Sequence, residues 1–321
     1  MRFRGCLLAF PLTLSVVACG GTRPAPRGPA APVVAPDVDA DGPPMAIADA
    51  ALPYAIVDGH TGRAVPEATF WAAVDGAQAV CVGEEHPNPH HHWAQLHVVE
   101  HLAGAAGAGR RALGLEMIQQ PFQGVVDDFA AGAIDEPTFV SRVGWADRWG
   151  YPWSYYQPSI THAIAHGWSV RALNARAELV KRVGKVGVAG LDPVERAELP
   201  ELVLDDARHR AWFDGVMRAM GDHGGANMPS ADNMYAAQVV WDESMAAGAH
   251  AWLAGGGDAI VILAGTGHCQ DGAVAGRLER RGVARVVTVR PIIDDGEGAV
   301  ADALTEANAD YLFVMTPPTG P

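Results

Sequence analysis

The chain has 321 residues, of which 37 are acidic and 23 are basic, so its formal net charge is −14. The charges are spread without a long basic run, which excludes the electrostatic pattern of a surface that binds nucleic acid or anionic lipid. We therefore expect no nucleic-acid partner. Beyond the N-terminal segments roughly 270 residues remain, a length that suits one large α/β domain with an insertion.

The N-terminus has the pattern of a secretory signal. Residues 1–4 carry two positive charges, an apolar run follows over residues 7–17, and Cys19 comes directly after a small residue. The apolar run is shorter than the ~20 residues that a spanning helix needs. We expect residues 1–18 to be a signal peptide that is removed, with Cys19 lipidated at the new N-terminus.

A tether follows the expected lipidation site. Residues 19–48 are rich in proline, alanine and glycine and contain few large apolar side chains, so they cannot bury a core. Prolines stiffen such a segment. Gly20 rather than aspartate follows Cys19, which resembles the sorting signal for the outer membrane of Gram-negative bacteria. The expected location is the cell envelope, lipid-anchored in the outer membrane and facing the periplasm.

Residues 49–317 are predicted to form the folded domain. Continuous apolar runs alternate with helical patterns, which is typical of a buried, mostly parallel sheet flanked by helices. The predicted strands cover residues 54–58, 79–82, 112–115, 169–173, 259–264, 283–289 and 310–315. Helices are predicted over 66–74, 93–102 and 235–253. The long helical stretches, about 119–168 and 176–254, predict a helical subdomain inserted into this α/β fold.

Polar side chains follow four of the predicted strands. In open parallel sheets, ligands bind beyond the carboxyl ends of the strands. The candidates at these positions are Glu84, Glu85 and His86, then Glu116, then Asn174, then Thr266 and His268. Imidazole and carboxylate together suit divalent ions such as Zn²⁺, Mn²⁺, Co²⁺ or Fe²⁺. We expect four of these side chains to converge within roughly 10 Å: His86, Glu116, Asn174 and His268.

Two of these segments share the spacing Gly-x-x-His, at residues 83–86 and 265–268. Glycine permits a sharp turn after a strand, from which the histidine points back across the strand end. The spacing alone is weak, because chance gives roughly 1.5 such matches in a chain of this composition. Both matches follow strand-like runs, which favours a site. The alternative is two structural histidines that cap helices.

A second histidine pattern lies nearby. Residues 97–101 read His-Val-Val-Glu-His, the form found in inverted zinc peptidases. On a helix His97 and His101 share one face. The alternative is that they flank a buried apolar stripe as solvated residues. The sequence also allows two interpretations of the run His90-His91-His92: it forms an edge of the site, or it is an exposed turn.

Six aromatic side chains crowd into residues 145–156. They are Trp145, Trp149, Tyr151, Trp153, Tyr155 and Tyr156. Such a cluster packs a core or forms a wall for a large planar ligand. Further along, Gln238, Asp242 and Met245 share one helix face, turned toward a cleft or toward solvent.

Several motifs in combination are specific. They are Gly83-Glu84-Glu85-His86 with Asn88 and His91-His92, Gly114-Leu115-Glu116-Met117, Gln123, Trp145 and Trp149 with Tyr156 and Pro158, Leu173-Asn174, Gln238 with Asp242 and Met245, and Ala264-Gly265-Thr266-Gly267-His268. In this combination residues 54–315 resemble the ChaN family of haem-binding uptake lipoproteins. That family resembles the Tiki and TraB proteins and the erythromycin esterases, which share two Gly-x-x-His motifs and a glutamate.

The resemblance implies a membrane-anchored haem-binding lipoprotein that takes part in haem or iron uptake. Its expected partners are haem and the iron-acquisition machinery, and a homodimer around haem is a further expectation. A tyrosine oxygen is one of the ligands that hold haem iron. Tyr155 or Tyr156 is the implied ligand. The cleft is expected to include Asn174, Gln238 and Asp242.

The wider superfamily implies an alternative, a divalent-metal-dependent hydrolase that acts as a peptidase or esterase. His86, His268, Glu84 and Glu116 would then hold Mn, Co or Zn, and Glu84 or Glu116 would remove a proton from water. One feature departs from the family pattern. Cys81 and Cys269 each flank a Gly-x-x-His element, and they would pair in an oxidising compartment if their strands are neighbours.

Overall fold

The computed structural model describes residues 45–104, 109–219 and 229–318. The predicted signal peptide 1–18, the lipidation site Cys19 and the tether as far as residue 44 lie outside the described residues. Within the described part of the chain, no helix combines the length and the apolar character needed to cross a membrane.

Eight strands of the described residues form one mixed sheet. They are β1 (Tyr54–Asp58), β2 (Ala64–Val65), β3 (Ala79–Val82), β4 (Arg111–Gln119), β5 (Ser169–Asn174), β6 (Ala259–Leu263), β7 (Val286–Ile293) and β8 (Tyr311–Met315). Their order is β2-β1-β8-β7-β3-β6-β4-β5. Strand β1 is antiparallel to β2 and β8, and all other neighbours are parallel. The predicted α/β fold with a mostly parallel sheet is confirmed.

Twelve α-helices flank the sheet in the part of the chain that the structure describes. They are α1 (Glu67–Gly76), α2 (Pro89–Gly104), α3 (Gln123–Ala130), α4 (Glu136–Arg142), α5 (Trp145–Arg148), α6 (Trp153–Ala165), α7 (Ala177–Val186), α8 (Pro193–Ala197), α9 (Ala207–Ala219), α10 (Ala231–Ala254), α11 (Gly276–Arg280) and α12 (Ala299–Glu306). The longest, α10, begins after Ser230, whose hydroxyl accepts the Asn233 N–H at 3.2 Å.

Buried apolar side chains cover both faces of the central strands. Strand β3 is fully buried, so alternate residues enter two different cores. Val80 and Val82 pack with α2 and α6, whereas Ala79 and Cys81 pack with α10 and α11. A central parallel strand covered by helices on both faces is therefore apolar throughout, which explains why the sequence shows a continuous run there.

Several elements differ in their bounds from the prediction, for example β7, which covers Val286–Ile293 rather than 283–289. Strand β4 continues past Leu115 to Gln119 and stays buried. In the sequence, the charged side chain of Glu116 indicates the end of the strand. In the structure its carboxylate has partners from other segments, so the strand continues past it. Helix α2 starts at Pro89 rather than at residue 93, because proline suits the first turn of a helix. The boundaries of the inserted helical subdomain stay a prediction.

A disulfide links Cys81 on β3 to Cys269, with the two Cα atoms 5.2 Å apart. Strands β3 and β6 are parallel neighbours, with Cys81 opposite Ile262. The prediction that these cysteines pair if their strands are neighbours is confirmed. The bond ties the turn after β6 to the central strand.

Candidate functional site

A long cavity with a volume of about 1290 Å³ runs along the carboxyl edge of the parallel strands. Residues that follow β7, β3, β6, β4 and β5 line it, and these five strands lie side by side in that order. Because adjacent strands are about 4.8 Å apart, the edge spans roughly 19 Å. The structure brings four of the predicted side chains to this one cavity: His86, Glu116, Asn174 and His268.

Part of the cavity lining is apolar and largely aromatic. It includes Trp212, Phe213 and Met217 on α9 together with Met234 and Trp241 on α10. Flat aromatic rings and adaptable methionines form the apolar part of pockets for large ligands. The cavity therefore combines polar groups at the strand ends with apolar side chains from two helices.

The two Gly-x-x-His turns pack directly against each other. A Cβ on Gly83 would stand 2.9 Å from Thr266 Oγ1, and a Cβ on Gly265 would stand 2.9 Å from His86 Cε1. Neither glycine has a positive φ angle. The chain turns tightly at Gly265, where the His268 N–H donates to the Gly265 carbonyl at 2.8 Å. Both positions need glycine because the two turns approach too closely for a side chain.

His86 lies in the cavity with one ring nitrogen bound. Its Nδ1 is 2.6 Å from Oε1 of the buried Glu84. Although burial lowers the pKa of His86, the Glu84 carboxylate outweighs this effect and leaves the pKa above its ordinary value. The rings of Trp149 and Tyr151 lie 4.7 and 4.9 Å from the imidazole, measured between centroids. Among the described residues hydrogen bonds reach only Nδ1 of His86, which leaves Nε2 for a ligand.

His268 has both ring nitrogens opposite carboxylates. Its Nδ1 is 2.6 Å from Asp242 Oδ1, and its Nε2 is 3.3 Å from Glu116 Oε1. Burial lowers the pKa of His268, but Glu116 and Asp242 outweigh it and raise the pKa to about 10. The ring is therefore a cation at neutral pH, with its Nδ1 donating to Asp242 and its Nε2 in an ion pair with Glu116.

Glu116 lies between the two histidines. Its Oε2 accepts the Gly265 N–H at 2.6 Å, and its Oε1 faces His268. Burial raises the pKa of Glu116, but His268 and His86 lower it further, so the pKa stays below its ordinary value. The centre of the site is thus an ionised carboxylate between two imidazole rings.

Glu84 is held by two partners that the site prediction does not include in this role. His92 Nδ1 lies 3.0 Å from Glu84 Oε2, and Tyr156 donates its hydroxyl to Glu84 Oε1 at 2.7 Å. Burial raises the pKa of Glu84, yet His92 and His86 hold it well below its ordinary value. The histidine run 90–92 is the one sequence signal for His92, and that pattern alone does not distinguish the site from an exposed turn.

Asp242 lies beneath the site on α10 rather than in the cavity itself. Its side chain is fully buried, and His209 Nε2 lies 3.3 Å from its Oδ2. Arg277 adds a positive charge at 3.9 Å. Burial raises the pKa of Asp242, but Arg277, His209 and His268 hold it far below its ordinary value. Sequence reasoning misses His209 and Arg277, because no spacing in the sequence connects them to Asp242.

Asn174 and Gln238 line the cavity, as predicted from their positions. Gln238 Nε2 lies 3.4 Å from Asp242 Oδ1, beside His268. The Asn174 Oδ1 has no hydrogen-bond partner among the described residues. Both amides therefore add polar groups to the β5 and α10 side of the strand-end surface.

The structure corrects the placement of the two tyrosines. Tyr156 is 1% exposed, and its hydroxyl is committed to Glu84. Tyr155 is 8% exposed, and its ring stacks on His92 with centroids 4.8 Å apart. Neither lines the cavity. The two tyrosines therefore pack in the core behind the site, whereas Trp149 of the same aromatic segment lines the cavity.

The histidines of the His-Val-Val-Glu-His segment lie apart from the cavity. His97 Nε2 is 3.2 Å from the Tyr54 hydroxyl, and its ring stacks on Trp93. His101 Nε2 is 3.0 Å from Asp75 Oδ1. Both rings also contact Trp71 on α1, and neither lines the cavity.

The predicted metal ligands offer fewer free donor atoms than expected. Both nitrogens of His268 face carboxylates, and Glu84 is surrounded by His86, His92 and Tyr156. His86 Nε2 and Glu116 remain as donors. One group of three side chains within the described ranges has the spacing of a metal site, His60, Asp271 and Asp310, and it lies outside this cavity.

The chain is similar to solved structures in its fold. ChaN of Campylobacter jejuni, from a structure described as cofacial heme binding, gives a TM-score of 0.63 at 14% identity and covers 82% of this chain and 97% of that chain. A mutant of the erythromycin esterase EreC in its open conformation is less similar. It gives a TM-score of 0.41 at 12% identity, and the match covers 83% of each chain. None of the curated protein sequences matches this chain.

A mostly parallel α/β sheet with two Gly-x-x-His turns and a buried glutamate at its carboxyl edge defines the class of protein. The family described as haem-binding uptake, Tiki superfamily, ChaN matches residues 70–278. This match covers more than half of the chain. The chain therefore belongs to this family, and the resemblance inferred from the motifs is confirmed.

Proposed function

We propose that this chain binds haem in the cavity along the carboxyl edge of the sheet and takes part in haem or iron uptake. The observation that carries the proposal is His86, whose Nε2 is available in a large cavity with an aromatic wall. The family is one of haem-binding uptake proteins, and the Campylobacter jejuni structure is one of cofacial heme binding to ChaN.

The size and lining of the cavity fit a large planar cofactor. Its volume of about 1290 Å³ exceeds the roughly 300–1,000 Å³ of pockets that enclose drug-sized ligands. Trp212, Met217 and Trp241 supply apolar contact area. Haem when bound supplies an iron centre for ligation, and the protein supplies an axial ligand and a dry, apolar surrounding.

His86 is the residue that we propose to hold the iron. Imidazole is a common axial ligand of haem, and Glu84 on Nδ1 orients the ring, as carboxylates do behind metal-binding histidines. His268 is protonated and fully engaged, and Tyr155 and Tyr156 are buried behind the site. We therefore assign the ligand to His86 rather than to either tyrosine.

The cellular setting is part of the same proposal. We propose a lipid anchor at Cys19 after removal of residues 1–18, in the outer membrane and facing the periplasm, with the iron-acquisition machinery as partner. The Cys81–Cys269 disulfide supports an oxidising compartment. A homodimer around haem is compatible with the cofacial arrangement described for the Campylobacter jejuni protein.

A haemin titration of the purified chain tests haem binding. We expect a shifted and sharpened Soret band that saturates at a fixed ratio of haemin to protein. The same chain unfolded in denaturant is the control, because it retains all side chains without the cavity. A folded chain that leaves the spectrum of free haemin unchanged would rule the proposal out.

A second candidate, a hydrolase, is favoured by a separate observation. The pairs Glu84–His86 and Asp242–His268 flank Glu116, and carboxylate–histidine pairs position bases and acids for proton transfer. His86 Nε2 would accept a proton from water, and His268 would stabilise developing negative charge. In a metal-dependent form of the reaction, His86 Nε2 would instead be a ligand of a divalent ion together with Glu116, and the ion would supply Lewis-acid activation of water.

Ester and peptide turnover tests this candidate. Glu116→Gln should abolish hydrolysis, whereas Glu100→Gln, an exposed change on α2, should leave it unchanged. Elemental analysis of protein purified without chelator shows whether Mn, Co or Zn is present at a fixed ratio to protein. Hydrolysis that persists in the Glu116 variant would exclude this site as its source.

A further inference from the structure

Four lysine and arginine side chains are among the residues that line the cavity, and two of them are paired with nearby carboxylates. Arg148 donates to Gln119 at 2.8 Å and to Glu178 at 3.1 Å. Arg290 donates to Glu306 at 2.7 Å. These two guanidinium groups are used within the protein, so neither provides a free positive charge for a ligand.

The other two are Lys181 and Lys185 on α7. They are four residues apart, so they lie on the same face of the helix. Within the described residues, no carboxylate oxygen lies within 4.0 Å of either ammonium group, whereas their neighbour Arg182 is 3.4 Å from Glu195. Two unpaired lysines at one cavity wall are notable in a chain with a net charge of −14.

The charges are distributed unevenly along the cavity. Helix α7 follows β5, the last strand of the sheet, so the lysines lie at one end. At the β7 end the lining includes Arg290 together with Glu306 and Asp295. One end is therefore positive and the other is neutral to negative, with His86 and Glu116 between them.

We infer that Lys181 and Lys185 form a carboxylate subsite that orients an anionic ligand in this cavity. This inference rests on the proposed function, because the carboxylates that it assigns to the subsite are the two propionates of haem. Ammonium groups bind carboxylates as point charges without a fixed geometry, which suits flexible propionates. The negative charge at the β7 end of the cavity disfavours the reverse orientation of the ligand. The subsite therefore sets the orientation of the bound ligand as well as its affinity.

The test compares haemin with haemin dimethyl ester, in which both carboxylates are neutral. Lys181→Gln/Lys185→Gln should weaken haemin binding by roughly tenfold, since each partly exposed ion pair contributes a factor of a few. Binding of the dimethyl ester should change by less than about twofold. Arg182→Gln is the matched control, because it removes one charge from the same helix outside the cavity.

The outcomes separate this inference from the proposed function. Protein that binds haemin equally well with and without the two lysines would overturn the subsite and leave haem binding intact. Equal losses for haemin and the ester would also overturn it, because the effect would not involve carboxylates. A wild-type chain that binds neither porphyrin would remove haem binding and the subsite together. Thermal unfolding of each variant confirms that these exposed changes leave the fold intact.

Discussion

The two Gly-x-x-His turns have the same spacing, but their histidines have different partners. His86 has one carboxylate, Glu84, and an available Nε2, whereas His268 is locked between Asp242 and Glu116. The difference comes from Asp242, which α10 brings beneath the second turn. Equal spacing in the sequence therefore produces one histidine that is open to a ligand and one that is a fixed cation.

Removing the charge of Asp242 should have the largest effect on the locked turn. Asp242→Asn removes the buried carboxylate that His268, His209 and Arg277 share, so we expect a loss of about 3–5 kcal/mol in the free energy of unfolding. Denaturant unfolding measures this loss. Asp214→Asn, which breaks the part-exposed ion pair with Arg210, is the control and should cost about 1 kcal/mol or less. Equal effects of both changes would show that the buried network is not what holds His268.

The disulfide should stabilise the same turn by a covalent link. Cys81→Ala/Cys269→Ala should lower the free energy of unfolding by about 2–5 kcal/mol, because the bond closes a loop of 188 residues in the unfolded chain. Wild-type protein kept reduced should match the double variant. If neither treatment changes stability, the link does not anchor the His268 turn.

Because His268 is charged in the folded chain, the free energy of unfolding should fall as the pH rises. Its pKa is raised to about 10 in the folded chain, against about 6.5 when unfolded. The stabilisation is therefore complete below pH 6.5 and is lost as pH rises toward 10, with a slope of up to about 1.4 kcal/mol per pH unit. Unfolding measured between pH 7 and 10 should show this slope, reduced in His268→Asn. The same pH slope in the wild type and in His268→Asn would contradict the assignment of His268 as a fixed cation.

Much of the fold is predictable because its strands are unusual in composition. The run at β3 is apolar throughout, and such runs between helices indicate a buried parallel sheet. The extension of β4 to Gln119 is not predictable. Glu116 can lie in a buried strand only because Gly265 and His268, far along the chain, satisfy its oxygens.

The site is predictable only where strand ends place its residues. His86 and His268 follow strands, Glu116 lies in the last part of β4, and the carboxyl edge of a parallel sheet brings such positions together. His92 and His209 come from helices, whose contacts depend on how α2 and α9 pack on the sheet. Tyr156, which the resemblance implies as a ligand, lies outside the cavity lining, because helix α6 turns its hydroxyl toward Glu84 inside the core.

The assignment of His86 as the open histidine is tested most directly by the spectrum of the haemin complex. With wild-type protein we expect the absorption and magnetic circular dichroism bands of histidine-ligated haem. His86→Ala should lose these bands and bind haemin more weakly, whereas His101→Ala, a surface change paired with Asp75, should retain them. A His86→Ala protein with the wild-type spectrum and affinity would contradict the account.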